Sequence, residues 1–248
     1  MPSLSIITIN LNNALGLLKT VESVVSQTFT DYEYIIIDGG STDGSVEVIA
    51  EYADRITYWV SEPDNGIYSA MNKGIAQANG EWVIFMNSGD VFRNYEVLAN
   101  IFNRNIAAHM QILYGNALVK GLNKILNPPA TITKSFFLTG TICHQSLFAR
   151  RELFDRVGNF RSNYAIISDR DWLLRVCISK NHFTYINLDI SIWDPVGFCS
   201  QNPELFSKEL LELEKNYFNM YEIVVFRFKN KFAKLKNKLL QYSWSSGL

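Results

Sequence analysis

Tyr34-Ile35-Ile36-Ile37-Asp38-Gly39-Gly40-Ser41-Thr42-Asp43-Gly44-Ser45 is the stretch on which the fold turns. Apolar, mostly β-branched residues run into Asp38. Two glycines and a polar turn follow, and then a helical pattern begins. A buried strand that delivers a carboxylate to a flexible turn is how α/β proteins build ligand sites at the carboxyl edge of a sheet. Taken alone, the stretch also reads as an ordinary strand–turn–helix whose aspartates cap the helix.

The flanking sequence repeats the pattern. Residues 4–9 are a short apolar run broken by Asn10, Asn12 and Asn13, and residues 15–27 carry apolar side chains at helical spacing. The spacing predicts a helix over 46–52 with Ser45 as its N-cap, then a strand over 57–60. A helix over 69–78 stops at Asn79-Gly80. A strand over 82–86 and a helix over 95–102 complete the half. Such alternation predicts a mainly parallel sheet with helices on both faces. The four strand ends carry Thr8 and Asn10, then Asp38, then Glu62 and Asp64, then Asn87 and Asp90. Parallel strands bring these ends to one edge, where carboxylates repel unless a cation or a hydrogen-bond donor compensates. A divalent metal bound to a diphosphate meets that need, and oxygen ligands suit Mg²⁺ or Mn²⁺. Each polar group also reads as a simple loop cap.

Composition narrows the class. The length of 248 residues suits one α/β domain, or one domain plus a tail. A hydrophobic content of 48% argues for a packed globule and against disorder. The net charge of −1 gives no whole-chain signal for nucleic acid. Cys143, Cys177 and Cys199 have no metal-ligand spacing and read as reduced thiols of a cytoplasmic protein. No signal-peptide pattern opens the chain, and no apolar run is long enough to span a bilayer.

The second half is less patterned. Residues 112–114 and 117–119 read as two strands separated by Gly115-Asn116, and Pro128-Pro129 as a turn. Residues 143–148 read as a short strand entry, and 152–160 as a helix and turn. In Ile167-Ser168-Asp169-Arg170-Asp171-Trp172, two carboxylates two residues apart at a helix start point in different directions. One is expected to face the cleft, and the other to cap the helix or pair with an arginine. From Lys215 the composition shifts, and 226–240 interleaves Phe and Leu with Arg and Lys without an acid. A basic amphipathic stretch suits an anionic membrane surface, or packs on its own domain or a partner subunit. No base-reading module accompanies it, which argues against a nucleic-acid partner.

Taken in order, these motifs resemble the family 2 glycosyltransferases, inverting enzymes of the GT-A fold. The likeness rests on Ser5-Ile6-Ile7-Thr8-Ile9-Asn10, Asp38 to Ser45, Ser61-Glu62-Pro63-Asp64-Asn65-Gly66-Ile67-Tyr68, Ala70-Met71-Asn72-Lys73-Gly74 and Gly80 to Asp90. It resumes near Cys143. The resemblance implies a GT-A, Rossmann-like α/β domain over 1–210, with a nucleotide-sugar-binding half over 1–102 and an acceptor and catalytic-base half over 103–210. A basic helical tail over 211–248 would follow. Asp38 would bond the nucleobase, typically the uracil of a UDP-sugar. Thr8 and Asn10 would flank base and ribose, and Asp64 would line their pocket. Asn72, Lys73, Asn87 and Ser88 complete the donor set. Asp90 falls in the metal-binding element, with His144 as a second candidate ligand or an ordinary buried histidine. Asp169 matches the catalytic base, and Asp171 pairs with Arg175 instead.

The chain departs from the family pattern at several positions. Asn87 and Gly89 stand where aspartates are usual, Ser168 replaces an acid, and Met71 sits where many relatives carry an arginine. Lys73 either substitutes for that arginine at the phosphates or is a solvated helix residue. The implied function is transfer of a sugar from a nucleotide-sugar to a glycan or polyprenyl-diphosphate-linked saccharide in surface polysaccharide biosynthesis, at the inner face of the plasma membrane. The rival readings are a non-catalytic nucleotide-sugar-binding protein and a nucleotidyltransferase.

Overall fold

The computed structural model describes residues 1–104, 106–122, 124–195 and 201–228. Strands β1 (Leu4–Asn10), β2 (Tyr32–Asp38), β3 (Tyr58–Ser61) and β4 (Trp82–Phe85) lie in the order β3-β2-β1-β4, every pair parallel. β1, β2 and β4 are buried almost throughout, as strands covered on both faces must be. Alternation splits their side chains between two cores. Leu4, Ile6, Tyr34, Ile36 and Ile84 pack with Leu17, Val21 and Val24 of α1 (Ala14–Val25) and Ile49 of α2 (Ser45–Glu51). Ile7, Ile9, Ile35, Ile37 and Phe85 pack with Met71 and Ile75 of α3 (Ile67–Gln77) on the other face. Helix α3 comes so close to β1 that a Cβ on Gly74 would collide with Ile7 Cγ2. The register sets Asn10 opposite Asp38 and Asp38 opposite Ser61, so three strand ends stop at one level.

The second half makes the sheet mixed. After β5 (Val91–Phe92) and α4 (Val97–Phe102) come β6 (Ile112–Val119), β7 (Lys124–Leu126) and β8 (Leu147–Arg150). Helices α5 (Glu152–Val157) and α6 (Ser168–Ile178) precede β9 (Phe183–Trp193), and α7 (Pro203–Tyr217) follows it. β8 joins β4 antiparallel, β6 lies between β8 and β9, and β5 and β7 add antiparallel edges.

Three expectations are corrected. The two strands expected over 112–119 are one strand, irregular between Tyr114 and Ala117. β9 passes so near that a Cβ on Gly115 would lie 2.6 Å from the Leu188 carbonyl oxygen. Ser45 is the first helical residue of α2, not its cap: left-handed Gly44 holds that position, and the Ser45 hydroxyl donates to Asp43 Oδ1 at 2.6 Å. Position 210 falls inside α7, whose Leu213 is fully buried, so the helix crosses the expected boundary between domain and tail. The basic stretch beyond residue 228 lies outside the described residues; its start is tied back by Arg227, which pairs with Glu214 at 2.9 Å. No helix among the described residues is long and apolar enough to cross a membrane.

Candidate active site

Asp38 has no exposed surface, and four donors saturate its carboxylate. Oδ1 accepts from Asn10 Nδ2 at 2.7 Å and Ser41 Oγ at 2.6 Å, while Oδ2 accepts from the Ser41 amide at 2.8 Å and Ser61 Oγ at 2.6 Å. Two carboxylate oxygens offer about four acceptor sites in all, so none remains free for a ligand. Asp38 therefore organises the strand ends, and the buried acceptor left without a partner at this level is Asn10 Oδ1. Burial alone would raise the Asp38 pKa, but the hydrogen bonds from Ser41, Ser61 and Asn10 outweigh it and hold the carboxyl below its usual range. A lowered folded-state pKa adds stability above the unfolded value of about 4, and that stability is lost as pH falls through the folded value. Asp38→Asn is expected to lower the melting temperature at neutral pH, with the gap to wild type closing below about pH 4. Parallel melting curves over that range would check it; a gap that does not change with pH refutes the assignment.

The other donor-side candidates divide. Thr8 does not reach the cleft: it is fully buried, and its hydroxyl donates to the Met86 carbonyl at 2.7 Å. The Lys73 ammonium, about a third exposed, is engaged by Glu62 at 2.7 Å and Asp64 at 2.6 Å and pins the loop after β3. Asp64 Oδ2 is buried without a hydrogen-bond partner. Asn72 is committed to structure: its amide donates to the Phe160 carbonyl at 2.8 Å and accepts from the Phe160 amide at 3.1 Å. Met71 is buried in the core.

The loop after β4 carries Asn87, Ser88 and Asp90. The Ser88 hydroxyl donates to the Asn13 carbonyl at 3.2 Å. Thr20 Oγ1 donates to the Asp90 carbonyl at 2.8 Å and receives the Gly89 amide at 3.0 Å, which fixes the turn. Asp90 is 7% exposed, and its Oδ1 accepts the Asp194 amide at 3.1 Å. Burial pushes its pKa up to about 6, against the opposing charge of His144. Asn87 Oδ1 is buried without a partner.

Asp169 lies in the first turn of α6 and faces this loop through His144. Its Oδ1 receives Tyr68 Oη at 2.9 Å and the Arg170 amide at 2.8 Å, and its Oδ2 lies 3.5 Å from His144 Nδ1. The other His144 nitrogen, Nε2, lies 3.0 Å from Asn87 Nδ2. Both ring nitrogens are thus engaged, which joins His144 to the hydrogen-bond chain of Asp169. Burial would raise the Asp169 pKa, but the His144 hydrogen bond and charge, with Tyr68 and the Arg170 amide, hold it below the usual range. Burial would lower the His144 pKa, and Asp169 and Asp90 raise it instead. The side chain of Asp169 keeps 17% exposure, enough to meet a substrate. Next to His144, burial and then the charges of Asp169 and Asp90 push the Cys143 thiol up to about 12.

The turn before α6 is held from a distance. Glu209 of α7 accepts the amides of Ala165 at 2.7 Å, Ile166 at 3.0 Å and Ile167 at 3.2 Å. Asp171 points away from Asp169, as the spacing requires, and pairs with Arg175 Nε at 2.9 Å. Tyr68 and Glu209 are the positions that sequence reasoning missed. Tyr68 lay inside a quoted motif, where an acceptor 101 residues away left no local signal.

No group of three or more His, Cys, Asp or Glu side chains among the described residues is arranged to hold a metal. Asp90 and the orphaned Asn87 oxygen nevertheless offer two hard oxygen ligands, the small protein contribution that suits a cation finished by phosphate oxygens.

Four parallel strands ending in a polar edge, faced by a carboxylate from a second half of mixed strand direction, define the GT-A class of glycosyltransferase. The chain belongs to glycosyl transferase family 2, whose model matches residues 5–158. As a member it is a glycosyltransferase that uses a nucleotide-sugar donor. An uncharacterized glycosyltransferase of Mycobacterium tuberculosis is 34% identical over 184 residues, covering 71% of this chain and 70% of the relative. A PGL/p-HBAD biosynthesis glycosyltransferase of Mycobacterium bovis is 28% identical over 218 residues, covering 85% and 83%. Among solved structures, S. aureus TarS 1-349 in complex with UDP aligns at a TM-score of 0.67 and 19% identity, over 85% of this chain and 64% of that one. The chain spans only 38% of the longer TarS chain. The mannosyltransferase PcManGT from Pyrobaculum calidifontis, in complex with GDP-Man and Mn²⁺, aligns at 0.67 and 16% identity, over 100% of this chain and 76% of that one.

Proposed function

We propose that this enzyme transfers a sugar from a UDP-sugar to a hydroxyl of a glycan or lipid-linked acceptor with inversion, and that Asp169 is its base. The observation that carries the reading is the partly open Asp169 carboxylate, held by Tyr68 and His144 opposite the 87–90 loop. In one displacement the acceptor oxygen bonds the anomeric carbon, the bond to the diphosphate breaks, and Asp169 takes the hydroxyl proton. His144 offsets the charge of Asp169 and fixes its orientation. Asn10 Oδ1 and Asp64 Oδ2 are the free acceptors for base and ribose. Asp90 and Asn87 would hold a divalent cation, which when bound supplies positive charge to the departing diphosphate. The basic residues of 226–240 support placement at an anionic membrane surface.

A melting-temperature series with nucleotides tests the donor assignment. UDP at about 100 times its dissociation constant should stabilise by about 2.7 kcal/mol. For a chain of this size that is a rise of roughly 5–10 °C. Mn²⁺ should enlarge the shift, and GDP should give less. No shift with any nucleotide would sink the proposal, and a UDP shift indifferent to Mn²⁺ would sink the role of Asp90.

A further inference from the structure

A second cavity of about 290 Å³ opens between β6, β7 and the 128–143 segment. Its floor is the antiparallel β6–β7 pair, with Leu126 opposite Ala117 and Ile125 opposite Leu118. One wall is Pro128-Pro129, held by the hydrogen bond from Tyr114 Oη to the Pro129 carbonyl at 2.8 Å. The other wall is Phe136, seated against Gly140, where a Cβ would lie 2.7 Å from the ring. Arg170, next to Asp169 in the chain, donates to the Gly140 carbonyl at 2.9 Å, so this wall is tied to the helix that carries Asp169. Cys143 closes the cavity on the side of His144 and Asp169. None of the lining residues is charged.

We propose that this cavity binds the uncharged apolar part of the acceptor, an alkyl or aryl group joined to the sugar whose hydroxyl reaches Asp169. The volume is just below the usual small-molecule range of about 300–1,000 Å³ and suits a chain segment or one ring. A diphosphate placed here would find no cation among the lining residues, and a charge without a partner is costly to desolvate. The cavity therefore favours an acceptor whose apolar group follows the sugar directly. Cys143 in its lining is the chain neighbour of His144, and the Arg170–Gly140 bond ties its wall to the helix that carries Asp169, which sets the cavity beside that carboxylate. This inference rests on the assignment of Asp169 as the base.

Calorimetric titration of the full chain, with UDP present, would compare octyl β-D-glucoside below its micellar concentration with methyl β-D-glucoside. The octyl compound should bind at least about tenfold tighter, since about two buried methylenes suffice for that ratio. Leu126→Glu and Ile125→Glu should each erase the preference and leave UDP affinity unchanged, which also shows that the variants fold. Equal affinity for the two glucosides, or a preference that survives both variants, overturns the proposal while the donor reading stands. Failure of the wild type to bind UDP overturns the donor reading and the acceptor proposal with it.

Discussion

Asp169→Asn should lower sugar transfer by about 10²–10⁴-fold, the range that general-base removal produces, while UDP binds as in the wild type. The amide is nearly isosteric and keeps an oxygen for Tyr68 and the Arg170 amide, so the turn before α6 survives. What disappears is the acceptor for the hydroxyl proton and the negative charge that His144 faces at 3.5 Å. Reaction rates under saturating donor, read beside UDP affinity, separate the two functions. Wild-type turnover in the variant would remove Asp169 from the mechanism, and lost UDP affinity would mark it as a structural residue. A non-catalytic binding protein would show no turnover in either form.

Asp171→Ala should produce the largest loss of stability. Its carboxylate has no exposed surface and receives Arg175 Nε at 2.9 Å, Tyr217 Oη at 2.7 Å and Arg161 Nη1 at 3.3 Å. Truncation leaves the nearly buried Arg175 charge without its counterion, and breaking one partner of a buried pair costs about 3–5 kcal/mol. At this chain length the melting temperature should fall by roughly 10 °C. Asp155→Ala is the matched comparison, because Asp155 is 75% exposed and pairs with Arg151 at 3.6 Å. Exposed pairs contribute little, so its melting curve should overlay the wild type. Equal melting of the two variants would show that the Asp171 network adds nothing.

The sequence was legible where local pattern and tertiary role coincide. The strands ending in Asn10, Asp38 and Ser61 are short, apolar and bounded by turns, and their parallel register follows from the helices between them. The divergence of Asp169 from Asp171 was readable as well. Side-chain availability was not. Asp38 looked like an open ligand and proved saturated, because its donors Asn10, Ser41 and Ser61 come from three separate segments. The ion pairs of Lys73 left no local signal, because its anions lie 9 and 11 positions upstream, beyond helical spacing. Gly115-Asn116 resembled a hairpin turn, since nothing nearby records that β9 passes close to it.

Glu209 gives the turn before α6 a timetable. On the ribosome, residues 4–85 can pair as four parallel strands well before α7 has emerged. The three amides before α6 stay without their acceptor until α7 has been synthesised and has docked. The donor edge can thus form first, and the turn that carries Asp169 is completed only after α7 has joined it.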